Sequence, residues 1–409
     1  MLRQPFGFSL AYLAPGTFAL TILLGFLTAL GPLSTDLMLP SLPAIARYFS
    51  ASNGDAQLVL SAQLTGFALG LPFYGPVSDR RGRKSVLFFG LALYGIASVL
   101  ATLAPSLEWL IAARLLQGLG ASGPIVVTRA IVRDLYEGRR AAQELGRMGT
   151  IMGVVPAIAP LFGAGLEIAF GWRANFAACF VLAAALGVWA GMRMPETLRQ
   201  KLTEPFSLGA MFREFGALLR DRRFFPFGIL AAATFAGLFS FISGSSFVYQ
   251  LQFGVGAFAF ALAFGTMTIG YMAGAFTAQR LAIRIEPRRL LLLGALLQAG
   301  GGLLMLALTL SAPSPWGITI PMAIYAAGVG FSLPQSQAGA MMPFPERAGA
   351  VSSLLGIIQM GGAAIAGASV GALIDHGPVV LAGAIATFGM ISLAVQPLVR
   401  RAISARTAG

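Results

Sequence analysis

The sequence predicts an all-α membrane protein with twelve transmembrane helices arranged as two pseudo-symmetric halves of six. The 409 residues are 57% hydrophobic and only 11% charged, and the mean hydropathy of +0.79 exceeds what a soluble core buries. The apolar runs are continuous rather than alternating, which favours helices over a lipid-spanning β-barrel. The chain holds twelve such runs, each long enough for a bilayer crossing of about 20 residues.

The predicted spans form two sets with a polar stretch between them. Helices 1 to 6 are predicted near residues 17–39, 57–77, 86–104, 108–130, 145–167 and 174–194. Helices 7 to 12 are predicted near residues 225–248, 256–279, 290–310, 316–340, 350–373 and 379–399. The predicted units are an N-terminal half, 1–195, a cytoplasmic linker with a short amphipathic helix, 196–224, and a C-terminal half, 225–409. Two sets of six helices indicate halves related by pseudo-symmetry.

The Lys and Arg residues predict how the helices are oriented. If the N-terminus is cytoplasmic, all but four of the 28 cations lie in cytoplasmic segments, Arg3 among them. Arg47 and Arg173 fall outside, and Arg114 and Arg129 lie within helix 4. Because cytoplasmic loops are enriched in Lys and Arg, both termini are expected to be cytoplasmic. The net charge of +13 follows from this topology, so no nucleic-acid partner is expected.

Several classes of function lack the residues that they need. One cysteine, Cys179, excludes an intrachain disulfide and a thiolate metal cluster, and one histidine, His376, excludes a histidine-built metal site. No phosphate-binding loop of an ATP-driven pump is present, since the order and spacing of GRKS are wrong for one. The spans also hold no cluster of acids, histidines or nucleophiles. We therefore expect neither an enzyme nor a bound cofactor or metal.

Two ionisable side chains within the spans are candidates for function, because burying a charge in a membrane is costly. Asp36 follows the Gly31-Pro32 pair in helix 1, and its carboxylate can take up a proton when buried and release it when solvated. Arg114 in helix 4 needs a carboxylate, backbone carbonyls or a ligand. Asp36 is one possible partner, and Gln117, one turn from Arg114, is a second polar group for this site. The alternatives are that Asp36 is solvated near the outer interface and that Arg114 snorkels to it.

Small residues one turn apart predict which helices join the halves. Gly-x-x-x-Gly occurs at Gly66/Gly70, Gly149/Gly153, Gly187/Gly191, Gly270/Gly274 and Gly367/Gly371. Four of these pairs fall in helices 2, 5, 8 and 11, which occupy equivalent positions in the two halves. Such pairs let backbones approach closely, so these four helices are expected to form the contact between halves.

The stretch GPVSDRRGRKS, residues 75–85, concentrates charge between two apolar helices. Gly75 and Gly82 allow close packing and a tight turn, and Asp79 is expected to face the partially positive N-terminus of helix 11. Positive-inside topology explains the cations alone, but not the acid and the glycines.

The pattern Gly75, Asp79, Arg80, Gly82, Arg83, Lys84 resembles the loop 2–3 signature of the major facilitator superfamily. The resemblance implies that Asp79 and Arg83 belong to a cytoplasmic gate, with Asp134 as an ionic partner. At the equivalent loop 8–9, Ala278 stands where an acid would align.

Further stretches resemble drug:proton antiporters of the bicyclomycin/chloramphenicol resistance (Bcr/CflA) branch. They are LSTDLMLPSLP, RLLQGLGAS, PAIAPLFGAGL, AGLFSFISGSSFVY and RAGAVSSLLG. The resemblance spans roughly residues 24–398, and it marks the helix 5 antiporter motif as Gly153, Pro156, Pro160 and Gly163.

The resemblance implies proton-coupled export of small amphipathic compounds, such as phenicols or bicyclomycin, across the bacterial inner membrane by a monomer. The proton-coupling residues would be Asp36 and Arg114. The predicted substrate cavity consists of Asp36, Arg114, Gln117, Phe241, Phe247, Tyr249 and Gln359. Three alternatives stay open: export of a native metabolite or siderophore, proton-coupled uptake, and sensing without transport.

Overall fold

A computed structural model describes residues 12–203 and 206–407, and within these ranges the chain is helical with short connections and no strand. Arg3, one of the predicted cytoplasmic cations, lies outside the described residues, as do parts of the predicted ends and linker. Twelve helices are long and apolar enough to cross a membrane, which confirms the predicted fold class.

These helices keep the numbers 1 to 12. Helices 1 to 6, the N-terminal half, span Phe18–Tyr48, Asn53–Arg81, Arg83–Thr102, Leu107–Leu135, Gly138–Phe170 and Arg173–Arg193. Helices 7 to 12, the C-terminal half, span Phe225–Gln252, Ala257–Leu281, Pro287–Ser311, Pro315–Met341, Pro345–His376 and Pro378–Ser404. A further helix in the linker, Leu208–Arg220, packs Phe215 and Leu218 against the C-terminal half.

Local sequence signals set where several helices begin and end. Helices 2, 4 and 10 begin after a serine whose hydroxyl accepts a hydrogen bond from the backbone N–H three residues on, at 3.0–3.3 Å. These are Ser52, Ser106 and Ser314. Helix 2 ends at Gly82, whose φ of +107° suits a residue without a Cβ. The short connections follow from these caps and turns.

Helices 2 and 11 pack together, as do helices 5 and 8, so the contact between halves uses the predicted helices. The prediction that all four glycine pairs serve this contact is wrong. Only the pair at Gly371 and Gly367 faces the other half, where it lies against Gln57 of helix 2. The pair beginning at Gly66 packs on helix 4, and the pair beginning at Gly270 packs on helix 10. No atom lies within 4 Å of a Cβ built at Gly149 or Gly153.

The apolar core distinguishes the two ends of the helix bundle, which we call the Asn53 end and the Arg83 end. At the Asn53 end, one buried cluster contains side chains of both halves, from Leu42 and Leu60 to Phe264 and Ile385. Toward the Arg83 end the buried core divides into separate clusters, one in the N-terminal half and two in the C-terminal half. The halves are therefore joined at the Asn53 end and parted toward the Arg83 end.

Hydrogen bonds agree with this division. Five of them join the halves at the Asn53 end within the described part of the chain. They are Asn53–Asp375 at 2.7 Å, Gln57–Ser243, Ser61 to the Ala364 carbonyl at 3.1 Å, Ser246 to the Leu39 carbonyl at 2.6 Å, and Gln250 to the Pro40 carbonyl at 2.8 Å. Helix 11 still touches Leu71 of helix 2 at Gly356, whereas a Cβ built at Gly349, nearer the Arg83 end, meets no atom within 4 Å. The structure is thus closed at one end and open at the other.

Candidate functional site

Asp36 lies in helix 1, just before the regular α-helix gives way at Met38 to a 3-10 turn, next to the contact between the halves. Its side chain is 4% exposed, and its Oδ2 is buried without a hydrogen-bond partner. Three residues further on, the carbonyl of Leu39 accepts the hydrogen bond of Ser246 from helix 7. A buried carboxylate oxygen with no donor is unusual and energetically costly. The position is therefore suited to a group whose charge changes during function.

Arg114 is fully buried and bound by neutral acceptors. Its Nη1 donates to Oε1 of Gln117 at 2.5 Å, its Nη2 donates to Oε1 of Gln63, and its Nε donates to the Val59 carbonyl at 3.3 Å. The guanidinium also lies over the Phe176 ring, 5.6 Å from the centroid. The site thus satisfies a buried cation without a carboxylate in contact.

The predicted ion pair between Asp36 and Arg114 does not form in this structure. Gln63, which binds Arg114, also binds the side chains of Ser34 and Thr35 on helix 1. Successive residues of a helix are rotated by about 100°, so Asp36 turns away from this contact. The rotation of helix 1 therefore keeps the carboxylate of Asp36 away from the guanidinium of Arg114. The two residues lie at a similar depth in the membrane, which is why the sequence suggested that they would meet.

Close helix packing holds both residues in place. A Cβ built at Gly118 would lie 2.8 Å from the Phe67 backbone nitrogen, so helices 2 and 4 touch next to the Gln63–Arg114 bond. A Cβ built at Gly163 would lie 2.7 Å from the carbonyl carbon of Leu37. Gly163 of the helix 5 motif thereby brings helix 5 against helix 1 beside Asp36, whereas a Cβ at Gly153 would meet no atom within 4 Å. Pro156 and Pro160 lie within the same helix, where each lacks a backbone N–H.

The predicted aromatic lining of a substrate cavity is buried in helix packing instead. Phe241, Phe247 and Tyr249 are each 1% exposed. Phe241 stacks on Phe264 at 6.0 Å, and the Tyr249 hydroxyl bonds Oγ1 of Thr319 at 2.6 Å. These three residues do not line an open cavity here, because the C-terminal half closes around them at the Asn53 end.

Gln359 of helix 11 is 5% exposed and keeps part of its hydrogen-bonding capacity free. Its Oε1 accepts a hydrogen bond from Gln337 at 3.4 Å, whereas its Nε2 is buried without a partner. A polar group with an unused donor is a reasonable contact for a ligand.

At the Arg83 end, residues 75–84 form a charged cluster within the N-terminal half. Arg83 donates to Asp79, to Asp134 at 2.9 Å and to Ser78 at 2.7 Å. The Glu196 carboxylate accepts the backbone N–H groups of Arg83 and Lys84, at 2.9 and 3.0 Å. Arg80 donates to the Pro76 carbonyl at 2.9 Å and lies over the Phe206 ring, and Lys84 donates to the Gly191 carbonyl of helix 6 at 3.0 Å. A Cβ built at Gly75 would lie 3.7 Å from Val126 of helix 4.

Asp79 does not face the N-terminus of helix 11, contrary to the expectation from the sequence. Its carboxylate binds Arg83, and its backbone carbonyl accepts the N–H of Leu202. No hydrogen bond joins Asp79 to helix 11 within the described ranges. The reason is that the halves are parted at this end.

Sequence reasoning did not single out Gln63 or assign a role to Arg129. Gln63 is the main acceptor for Arg114. The sequence feature that could have pointed to it is a side-chain amide within an apolar span. Arg129 of helix 4 is exposed although it lies within a span. Its neighbour Thr128 bonds Thr28 of helix 1 at 2.9 Å. Because an arginine at this depth avoids lipid, we expect Arg129 to face the open side of the bundle.

Comparison with known proteins agrees with this architecture. The family model described as Major Facilitator Superfamily matches residues 22–368. The chain belongs to the major facilitator superfamily. Its fold and its relatives are those of transporters rather than of enzymes, and it is a multi-pass membrane protein.

Relatives within the superfamily match most of the chain. The uncharacterized MFS-type transporter YdgK of Bacillus subtilis (strain 168) is 34% identical over 344 residues, covering 84% of this chain and 86% of the relative. The multidrug resistance protein MdtL of Escherichia coli O9:H4 (strain HS) is 32% identical and covers 83% and 85%. The bicyclomycin resistance protein homolog of Haemophilus influenzae is 25% identical and covers 87% and 90%.

Solved structures support the fold alone. A POT family transporter in complex with 5-aminolevulinic acid superposes with a TM-score of 0.77 at 14% identity, covering 95% of this chain and 97% of the other.

Proposed function

We propose that this transporter exports small amphipathic compounds, such as phenicols or bicyclomycin, in exchange for protons, as in the Bcr/CflA branch. The two halves would rock about a cavity between them, so that the cavity opens to one side of the membrane at a time. The observation that carries the proposal is Asp36, a carboxylate in a span with a buried, unpartnered oxygen.

The position of Asp36 supports a role in coupling. The side chain sits within one turn of the hydrogen bond between Ser246 and the Leu39 carbonyl, which joins the halves. Opening the Asn53 end would break that bond and bring water to the carboxylate. Protonation from that side removes the charge before the halves close again, and deprotonation inside restores it. Arg114 then acts by holding helices 1, 2 and 4 in register through Gln63 rather than as a direct partner.

The cations at the Arg83 end indicate how the protein is oriented in the membrane. We assign the Arg83 end to the cytoplasm of a bacterial inner membrane, with both termini inside, because cations concentrate there. This structure is then the inward-open state, with Arg129 along the entrance. On closure of that entrance, Asp79 and Arg83 would form the gate together with Asp134. A monomer suffices, since the cavity lies between the halves of one chain.

The substrate class rests on the relatives. Proteins named for multidrug resistance and bicyclomycin resistance match more than four fifths of the chain. The Gln359 amide supplies an unused donor, and the aromatic cluster of helix 7 supplies apolar surface if the C-terminal half rearranges.

The test is phenicol flux in proteoliposomes under an imposed pH gradient. Wild type should move the compound against its gradient, and Asp36→Asn should lose gradient-driven flux. Asp221→Asn is the matched control, because Asp221 pairs with Arg223 in the linker outside the spans.

Each outcome separates the candidates. Gradient-driven flux in wild type and control but not in Asp36→Asn supports antiport coupled at Asp36. Accumulation of the phenicol inside the proteoliposomes, driven by an inward proton gradient, would instead indicate an uptake symporter. Absence of flux with every drug tested would favour a native metabolite or siderophore, or a sensor. Flux preserved in Asp36→Asn would contradict the coupling role of this residue.

A further inference from the structure

A groove of about 870 Å³ lies between helices 9 and 12 at the Arg83 end, away from the contact between halves. It is formed where helix 9 begins and helix 12 ends. The residues that line it are Arg288, Arg289, Leu292, Leu393, Gln396, Pro397, Val399, Arg400, Arg401 and Ser404. Its size is that of a site for a small organic molecule.

Four arginines make the groove strongly positive, and few acidic side chains neutralise them. Arg288 pairs with Glu286 at 2.5 Å. No ion pair to Arg289, Arg400 or Arg401 is found within the described parts of the chain, and all three are exposed. The start of helix 9 adds the partial positive charge of its backbone N–H groups. The groove is therefore suited to a phosphate or another multiply hydrogen-bonding anion.

The wall of the groove is apolar. Leu292 is 43% exposed there, Leu393 is half-buried, and Pro397 is exposed. These side chains continue along helices that cross the membrane, so the apolar wall leads from the arginines toward the hydrocarbon region. A free inorganic anion makes no use of such a wall, whereas a lipid headgroup with its attached chains contacts both parts.

We propose that this groove binds the phosphate-bearing headgroup of an anionic phospholipid, with the upper acyl chains against Leu292 and Leu393. The arginines bind the phosphate, and the ends of helices 9 and 12 are held together by the bound lipid. Basic pockets between helices at a cytoplasmic surface are known sites for such headgroups. The proposal does not depend on which compound is transported.

The test is native mass spectrometry of the full-length protein in neutral detergent, titrated with phosphatidylglycerol and, separately, with phosphatidylcholine. Phosphatidylglycerol should be retained more tightly. Arg289→Gln/Arg400→Gln should weaken its binding by about 25-fold, since each cation near anionic lipid contributes about fivefold. The matched control is Arg220→Gln/Arg222→Gln, which removes the same charge from exposed linker positions outside the groove.

Three results would overturn the proposal. One is equal retention of phosphatidylglycerol and phosphatidylcholine by wild type, and another is equal weakening in the groove variant and the linker variant. A third is displacement of phosphatidylglycerol by equimolar inorganic phosphate, which would mean that the groove recognises the anion and not the lipid. Tight retention lost only in the groove variant supports the lipid site.

Discussion

Replacement of Gly163 by alanine tests whether the helix 5 motif positions the residue proposed to carry the proton. Gly163 lies where helix 5 touches helix 1, and a Cβ built on it would lie 2.7 Å from the carbonyl carbon of Leu37 and 3.0 Å from its Cα. Both atoms are backbone, so no side chain can rotate out of the way. The alanine therefore forces the two helices apart next to Asp36.

The size of the effect follows from these distances. The nearest atom would be the Leu37 carbonyl oxygen, at 1.9 Å, so restoring ordinary contact requires a separation of about 1.5 Å. Overpacking of this kind costs about 1–3 kcal/mol of stability. A displacement of about 1 Å at a functional group reduces activity by tenfold or more. We expect a lower unfolding temperature and a loss of proton-driven flux that is larger than the loss of folded protein.

The assay is flux in proteoliposomes together with thermal unfolding of the same preparation. Gly165→Ala is the matched control, because it lies two residues further along helix 5 and a Cβ there meets no atom within 4 Å. Alanine at an open helical position should be neutral or stabilising. If the two variants unfold and transport alike, the close contact of helices 1 and 5 does not position Asp36.

Two further variants test the arginine site and the closed end. Gln63→Leu removes an acceptor of the buried Arg114 and should lower the free energy of unfolding by about 1.5–3 kcal/mol, measured by thermal unfolding. Gln63→Glu keeps an acceptor and should retain stability. Equal losses in the two variants would contradict the hydrogen-bonding role of Gln63. Gly371→Ala would place a Cβ 2.9 Å from the Cβ of Gln57, which side-chain rotation does not move, and should favour opening of the Asn53 end by about fivefold or more. Spin labels across the ends of helices 2 and 11 should then report longer distances, and Gly361→Ala, in open space, should leave the distances unchanged.

The fold was predictable because lipid-spanning helices leave a strong signal in the sequence. Each predicted span corresponds to one observed helix, but several helices are longer than predicted. Helix 5 was predicted near 145–167 and runs from Gly138 to Phe170. Its first turns, GRRAAQEL, are polar and lie beyond the apolar run. Hydropathy therefore locates a crossing but does not show where the helix ends.

The site was predictable as a set of residues and not as a set of contacts. Asp36 and Arg114 stand out because charges are rare within spans. Which side chains meet depends on helix rotation and on close packing at Gly118 and Gly163, and single-sequence periodicity does not fix either. Gln63 lacks a charge, so the sequence marks it only as an amide within an apolar span and not as the group that binds Arg114.

In the proposed transport cycle, the charged cluster at the Arg83 end would be the surface on which the N-terminal half closes against a C-terminal half that lacks an equivalent acid. Asp79, Asp134 and Glu196 already surround the loop at Arg83 while the halves are parted, so the cluster is assembled before closure. On this proposal, closing would need no new ion pair from the C-terminal half, where Ala278 stands at the position of the expected acid. A half that presents a pre-formed, hydrogen-bonded surface spends little conformational entropy on docking. A motif with its acid in loop 2–3 but not in loop 8–9 is thus compatible with the proposed reversible gate.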